Sequence, residues 1–171
     1  IAWGDYDGDG DLDLLVTGDT QPSTSGVAVT QLYRNDAGVF TSVPHPFQNC
    51  YVGSAAWIDY DGDGDMDLLL TGADSFGTLS AILWRNQGGG SFVDAGANLP
   101  GMDFGVASWG DFDGDGDLDL LFGGNTSSGT ISRVFRNDAG TLVDVNAGLL
   151  PVLWSSGAWG DYDHDGDLDG A

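Results

Sequence analysis

The fold is decided by residues 3–13, the stretch Trp3-Gly4-Asp5-Tyr6-Asp7-Gly8-Asp9-Gly10-Asp11-Leu12-Asp13. Close copies of it follow, and the first aspartates of the four copies are Asp5, Asp59, Asp111 and Asp161, at spacings of 54, 52 and 50 residues. In every copy a tryptophan lies two residues before this aspartate: Trp3, Trp57, Trp109 and Trp159. Self-similarity at a nearly fixed period is typical of a repeat architecture.

A second pattern recurs between these copies. It consists of two apolar residues followed by Arg-Asn, and a glycine-containing turn follows each copy, at residues 32–35, 83–86 and 134–137. Alternating runs on both sides of such a turn predict a β-hairpin. In the second repeat, four short strands are predicted over about residues 51–58, 66–71, 79–86 and 92–95.

The second strand of each unit is apolar without interruption, at residues 14–16, 68–70 and 120–122. A strand without polar alternation is covered on both faces. Four strands in a repeat of about fifty residues, with the inner ones buried, are typical of propeller blades. The sequence therefore predicts an all-β fold of four-stranded antiparallel blades. Residues 1–171 form a single repeat domain, divided at approximately 1–49, 50–102, 103–152 and a truncated 153–171.

Both ends of the given chain fall within a repeat. Residue 1 lies near the end of a first strand, and residue 171 follows the last aspartate, Asp169, by two positions. We therefore expect about three blades plus a fourth inner strand, which is a partial or oligomer-closed propeller. Open blade edges are templates for pairing. The chain is then either an excerpt of a longer protein or a unit whose copies associate through those edges.

The aspartate-rich stretch has the chemistry of a metal loop. Numbered from its first aspartate, carboxylates stand at positions 1, 3, 5, 7 and 9, and glycine at position 6 permits a sharp bend. Hard oxygen ligands favour Ca²⁺, whereas Zn²⁺ prefers histidine and cysteine. Two unit charges 4 Å apart repel by about 4 kcal/mol at an effective dielectric constant of ~20, so a bound cation relieves the empty loop. We expect up to four Ca²⁺ ions, and the candidate metal residues are Asp5, Asp7, Asp9, Asp11, Asp13, Asp59, Asp61, Asp63, Asp65, Asp67, Asp111, Asp113, Asp115, Asp117, Asp119, Asp161, Asp163, Asp165, Asp167 and Asp169.

Other acidic calcium motifs fit less well. An EF-hand needs an acidic residue at position 12 and flanking helices, but position 12 is Val16, Leu70 or Phe122, inside a predicted strand. Dockerin-like pairs fail for the same lack of helices. The nine-residue calcium solenoid has too short a period.

These features resemble the FG-GAP family, also called VCBS repeats, of the integrin α-chain propeller and many bacterial surface proteins. Phe104-Gly105 is similar to the Phe-Gly of that family, and the Asp-Gly-Asp-Gly-Asp run to its calcium loop. The resemblance implies calcium ligands at loop positions 1, 3, 5 and 9, with the backbone carbonyl of position 7, in loops that join the first and second strands. In the fourth loop His164 stands at position 4, which is not a ligand position, so we expect it to face solvent.

Composition excludes several classes of partner. All 27 acidic residues are aspartates, the only four Lys or Arg residues are arginines, and the formal net charge is −23. Nucleic acids and anionic membranes need cationic partners, so we expect neither as a ligand. No apolar run is long enough to span a membrane. The single cysteine, Cys50, is expected to be a buried apolar residue.

The leading functional hypothesis is a secreted or cell-surface, calcium-stabilised module for adhesion or surface assembly, with a protein or glycan partner on the cell surface or matrix. The alternative is a carbohydrate-binding propeller, with Tyr33, Trp84 and Phe135 as candidate sugar platforms. A glycoside-processing enzyme is the least favoured reading, because the aspartates are committed to metal and no Ser-His-Asp set is visible. Asn125 begins an Asn-Thr-Ser sequon, expected in a loop, and is a candidate glycosylation site.

Overall fold

The computed structural model describes residues 1–21, 26–153, 157–161 and 168–170, and all regular secondary structure in those ranges is β-strand. The first sheet holds β1 (Ala2–Gly4), β2 (Asp13–Asp19), β3 (Ala28–Asp36) and β4 (Val39–Val43). The second holds β5 (Ala55–Ile58), β6 (Asp67–Ala73), β7 (Leu79–Asn86) and β8 (Phe92–Asp94). The third holds β9 (Met102–Gly110), β10 (Asp119–Thr126), β11 (Gly129–Asp138) and β12 (Thr141–Asp144). A two-stranded sheet of β13 (Trp159–Gly160) and β14 (Asp169–Gly170) begins the fourth repeat.

Within each four-stranded sheet the strands lie in chain order and pair antiparallel. The sheets of the described ranges pack face to face, and together they do not close into a ring. The predicted all-β fold of partial propeller blades is therefore confirmed. None of the described residues belongs to a helix that would be long and apolar enough to cross a membrane.

The predicted hairpin turns follow from local backbone preferences. Ala37 and Gly38 join β3 to β4 with φ of 51° and 90°, and Ala139 and Gly140 repeat this geometry between β11 and β12 with φ of 49° and 86°. Two successive residues with positive φ are the requirement of the tight hairpin turn that matches strand twist.

The predicted bounds of the second repeat are close but not identical to those found. The third strand spans 79–86 as predicted. The first begins four residues later than predicted, at Ala55, and Tyr51 makes only an isolated bridge to Ala73. The reason is Val52, whose φ of 48° breaks the extended chain.

The core lies between adjacent sheets. Leu68 and Leu70 of β6 pack with Leu15 and Leu32 of the first sheet, while Leu69 packs towards the third sheet. Because side chains alternate along a strand, a strand between two neighbours is buried on both faces, and every residue of β6 is buried. The prediction for these apolar runs is therefore confirmed for the second repeat, and for the third, where Leu120, Leu121 and Phe122 are buried. It is wrong for the first repeat, where Leu14 and Val16 are only partly buried because the described chain packs a neighbouring sheet on one face of β2 alone.

The repeated tryptophans join neighbouring sheets. Trp57 packs on Gly4 of the preceding repeat, where a Cβ would lie 2.5 Å from the indole Cγ, and Trp159 packs on Gly110 in the same way. Trp3 packs only edge-on against Phe40 and stays 50% exposed. These contacts set successive repeats in register and hold their aspartate loops along one edge.

Candidate metal centre

Each aspartate loop connects the first strand of a sheet to the second. The position-9 aspartates Asp13, Asp67 and Asp119 are the first residues of β2, β6 and β10, and all three are fully buried. Each pairs across the ladder with the last residue of the first strand, as in Gly4↔Asp13. The two ends of every loop are therefore fixed by the sheet itself.

Glycines curl the chain between those ends. The position-6 glycines Gly10, Gly64 and Gly116 have φ of 95°, 93° and 98°, so the bend predicted there is confirmed. The position-4 glycines Gly8, Gly62 and Gly114 are also left-handed, with φ of 75°, 73° and 75°. This second requirement was missed, although glycine recurs at position 4 in these three copies.

The curled backbone directs its N–H groups at the first carboxylate. Asp5 accepts hydrogen bonds from the backbone N–H groups of Gly8 and Asp9 at Oδ1 (2.9 and 3.1 Å) and from Gly10 at Oδ2 (3.0 Å). Asp111 accepts equivalent bonds from Gly114 and Gly116 at 2.8 and 3.0 Å. These bonds preorganise the loop around the position-1 side chain.

Three carboxylates converge in each fully described loop. In every group the candidate ligand oxygens lie within 4.8 Å of one another, and the members are Asp5, Asp7 and Asp13; Asp59, Asp61 and Asp67; and Asp111, Asp113 and Asp115. The first two loops thus combine positions 1, 3 and 9, and the third combines positions 1, 3 and 5. Each group can hold a metal ion.

The other candidate aspartates lie outside these groups. Asp11 and Asp117, at position 7, accept the backbone N–H groups of Ala37 and Ala139 at 2.8 and 2.9 Å, so their carboxylates face the β-hairpin turn. Asp9, Asp63 and Asp65 also lie in their loops but outside the groups, as does Asp119 in the third. Their role as ligands stays a prediction.

In the fourth loop Asp161 is described, and Asp169 is described as part of β14. Asp163, Asp165 and Asp167 lie outside the described residues, and so does His164, whose predicted exposure is therefore not addressed.

Burial and mutual repulsion make these carboxylates reluctant to ionise. Burial raises the pKa of Asp67 to about 7, although the backbone N–H groups of Asn86 and Tyr60 lower it. Burial is also the main cause that raises the pKa of Asp13 and Asp119. For Asp7 and Asp61, burial comes first and the neighbouring carboxylates Asp9 and Asp63 raise the pKa further. A cation among these groups would offset both effects.

The second loop offers the clearest fit to a cation. The Oδ1 atoms of Asp59 and Asp61 are buried and accept no hydrogen bond from the part of the chain that the structure describes. A buried carboxylate oxygen without a donor is costly unless a cation occupies its free side. The group contains neither histidine nor cysteine, so the donor set suits a hard divalent cation.

A recurring asparagine, which in the sequence is only part of the hairpin pattern, binds the position-9 aspartate. Asn35, Asn86 and Asn137 each donate a backbone N–H to the position-9 aspartate of their own repeat, at 2.8, 2.7 and 2.8 Å. The position-9 carboxylate also accepts the backbone N–H of loop position 2, such as Tyr60 to Asp67 at 3.1 Å. The available signal was the recurrence of an Arg-Asn pair in each of the three repeats, with the asparagine 22, 19 and 18 residues after the position-9 aspartate.

Two of the three candidate sugar platforms, Trp84 and Phe135, are committed to packing. Phe135 is buried in the core, and Trp84 packs against the core with its Nε1 donating to Gln48 at 3.1 Å. Tyr33 is partly buried on β3.

The prediction that Asn125 lies in a loop is wrong, because Asn125 lies within β10. It pairs there with Thr130 and Asp103, and its Nδ2 donates to the Asp103 carboxylate at 2.8 Å. The strand hydrogen bonds that the sequon forms with β9 and β11 decided this placement.

A family model described as an FG-GAP-like repeat matches residues 5–70, 59–122 and 111–169. Each match begins at the first aspartate of one loop and extends beyond the start of the next. A comparison with curated proteins finds no significant match.

Proposed function

Because the chain belongs to the FG-GAP-like repeat family, we propose that it is a calcium-binding β-propeller module of an extracellular or cell-surface protein. The observation that carries this proposal is the convergence of three carboxylates in each fully described loop, together with the unpartnered buried oxygens of Asp59 and Asp61. A divalent cation would neutralise the negative charge of these carboxylates, and the aspartates of the chain supply the oxygen ligands.

The donor set favours Ca²⁺ over other divalent ions. Every member of the three groups is an aspartate, which excludes the nitrogen and sulfur ligands that Zn²⁺ prefers. Mg²⁺ requires a stricter octahedron and keeps more of its waters, whereas Ca²⁺ accepts irregular oxygen shells. Extracellular calcium modules bind at roughly 10⁻⁴ to 10⁻³ M, and we expect this range here.

The cation's role in this proposal is structural. In the first two groups, position 9 starts the second strand and positions 1 and 3 follow the first strand, so an ion between them ties two inner strands together. Because the site exists only in the folded chain, ion binding adds directly to the free energy of unfolding.

Adhesion or surface assembly is the proposed use of the module, with a protein or glycan on the cell surface or matrix as its partner. The resemblance to surface propellers supports this role, as does the net charge of −23, which disfavours nucleic acids and anionic membranes. We assign the chain no catalytic activity, since its clustered aspartates serve the loops.

Isothermal titration of the EDTA-treated chain with CaCl₂ and with MgCl₂ tests the calcium assignment. We expect up to four sites that prefer Ca²⁺, and a triple variant with Asp7→Asn, Asp61→Asn and Asp113→Asn should lose binding at three of them. The matched control is Asp94→Asn, which removes an exposed aspartate outside the loops. The proposal would be refuted if neither titration gave a binding heat and if EDTA left the thermal unfolding temperature unchanged.

Self-association through an open edge is the proposed route by which copies would assemble. It is supported by Trp3, which is half exposed, and by Gly160, where an added Cβ would have no atom of the described residues within 4 Å. Light scattering in calcium should give a mass above the 17.8 kDa of one chain, and Trp3→Ala should lower the measured mass to that of one chain. Phe76→Ala, at a residue that is 95% exposed elsewhere, is the control. A monomer at every concentration would contradict self-association.

A further inference from the structure

Each four-stranded sheet has an equivalent asparagine, Asn35, Asn86 or Asn137, at the last or second-to-last residue of its third strand. Two of these, Asn86 and Asn137, reach the neighbouring repeat. The Nδ2 atom of Asn86 donates to the backbone carbonyl of Tyr6, 80 residues earlier, at 2.7 Å. The Nδ2 atom of Asn137 donates to the carbonyl of Tyr60, 77 residues earlier, at the same distance. Both acceptors are position-2 residues of the preceding aspartate loop.

The side-chain amides of Asn86 and Asn137 each make three hydrogen bonds. The Oδ1 of Asn86 accepts the backbone N–H of Gly88 at 3.2 Å, and its Nδ2 also donates to the carbonyl of Met66 at 3.1 Å. Asn137 makes the same set with Gly140 and Leu118. Both side chains are completely buried. A buried amide whose two N–H donors and carbonyl oxygen are all engaged is held in a single orientation.

Together with the aspartates, these bonds form a continuous line across three repeats. Asp13 accepts the N–H of Tyr6 at 3.1 Å, and Asp67 accepts the N–H groups of both Tyr60 (3.1 Å) and Asn86 (2.7 Å). The line continues through Asn137 to Asp119, which ends the third aspartate loop but lies outside the third carboxylate group. Asp13 and Asp67 are at the same time members of two carboxylate groups, so the line joins one candidate cation site to the next.

The first repeat supplies a natural comparison. The Nδ2 atom of Asn35 donates only to Leu12 of its own loop, at 2.9 Å, and its Oδ1 accepts from Gly38. Asn35 therefore makes the bonds within a repeat but no bond to another repeat among the described residues.

We propose that Asn86 and Asn137 couple the cation loops of successive repeats, so that an ion in one loop raises the affinity of the next. An ion that fixes the first loop also fixes the Tyr6 carbonyl, which holds Asn86, and the backbone N–H of Asn86 then presets the Asp67 carboxylate. The second loop loses less conformational freedom when its own ion binds, which is positive cooperativity. This inference rests on the proposed calcium binding.

Calcium titrations of Asn86→Ala, Asn137→Ala and Asn35→Ala test the coupling. We expect an affinity gain between neighbouring loops of about fivefold in the unaltered chain, at the low end of typical couplings. The Hill coefficient should lie above 1, fall towards 1 in Asn86→Ala and Asn137→Ala, and stay unchanged in Asn35→Ala. Equal cooperativity in all four proteins would overturn the inference.

A second measurement does not depend on how well the asparagine variants fold. In a chain that keeps all three asparagines, Asp5→Asn weakens calcium binding at the first loop. The amide resonance of Gly64 then reports calcium binding to the second loop. Coupling predicts that this variant lowers the affinity at Gly64 by the same factor of about five. An unchanged affinity at Gly64 overturns the coupling while leaving the proposed function intact. If no loop binds calcium, the proposed function fails as well.

Discussion

Substituting Asp61 by asparagine separates the electrostatic role of the second loop from a purely structural one. Asp61 belongs to a group whose ligand oxygens lie within 4.8 Å of one another, and its Oδ1 accepts no hydrogen bond from the described residues. At this distance and an effective dielectric constant of ~20, each ionised pair repels by about 3.5 kcal/mol, before proton uptake and water reduce it. In EDTA we therefore expect Asp61→Asn to be at least as stable as the unaltered chain, by about 0–2 kcal/mol.

Calcium should reduce this advantage of Asp61→Asn, because the variant has lost one of the sites through which calcium stabilises the folded chain. At about 2 mM calcium and a dissociation constant of 10⁻⁴ to 10⁻³ M, one site adds roughly 0.6–1.8 kcal/mol to the free energy of unfolding. The calcium-induced gain of Asp61→Asn should be smaller by this amount than that of the unaltered chain.

The assay is urea denaturation followed by tryptophan fluorescence, in EDTA and in calcium, with Asp94→Asn as the control that should match the unaltered chain in both. Two results would refute the reasoning. One is a loss of more than about 1 kcal/mol in EDTA, which would make Asp61 a structural residue. The other is an undiminished calcium gain.

Three further predictions concern the packing between repeats and two buried side chains. Gly4→Ala should destabilise the chain by about 1–3 kcal/mol, because the added Cβ would lie 2.5 Å from Trp57. Gly18→Ala should change stability little, because its Cβ would have no atom of the described residues within 4 Å, and equal denaturation midpoints for the two variants would contradict this. His45 should titrate below its ordinary pKa of about 6.5, since burial lowers its pKa; the folded state then binds its proton less readily, so stability falls as the pH drops through about 6.5, and an NMR titration giving 6.5 or higher would be inconsistent with this packing. The Cys50 thiol is fully buried and its pKa is raised by burial, so it should react with a thiol reagent only after denaturation, and rapid labelling of the native chain would show the packing to be wrong.

The elements of this protein were accessible from sequence because their causes are local. Glycines at fixed positions of each loop permit left-handed backbone, and β7 spans the predicted residues because its apolar pattern ends at a hairpin turn. The same reasoning was wrong for β5, where the left-handed Val52 ends the extended chain, and for Asn125, which strand pairing places within β10.

The sequence by itself determined the repeat, the four-stranded units and the clustering of carboxylates, because a period and a local bend need no knowledge of distant residues. Only the tertiary structure decided which groups meet across repeats. Trp57 lies on Gly4, and Asn86 reaches Tyr6, because two sheets pack face to face in one particular register. That register arises from side-chain shapes on both faces at once, and a repeat period alone does not encode it.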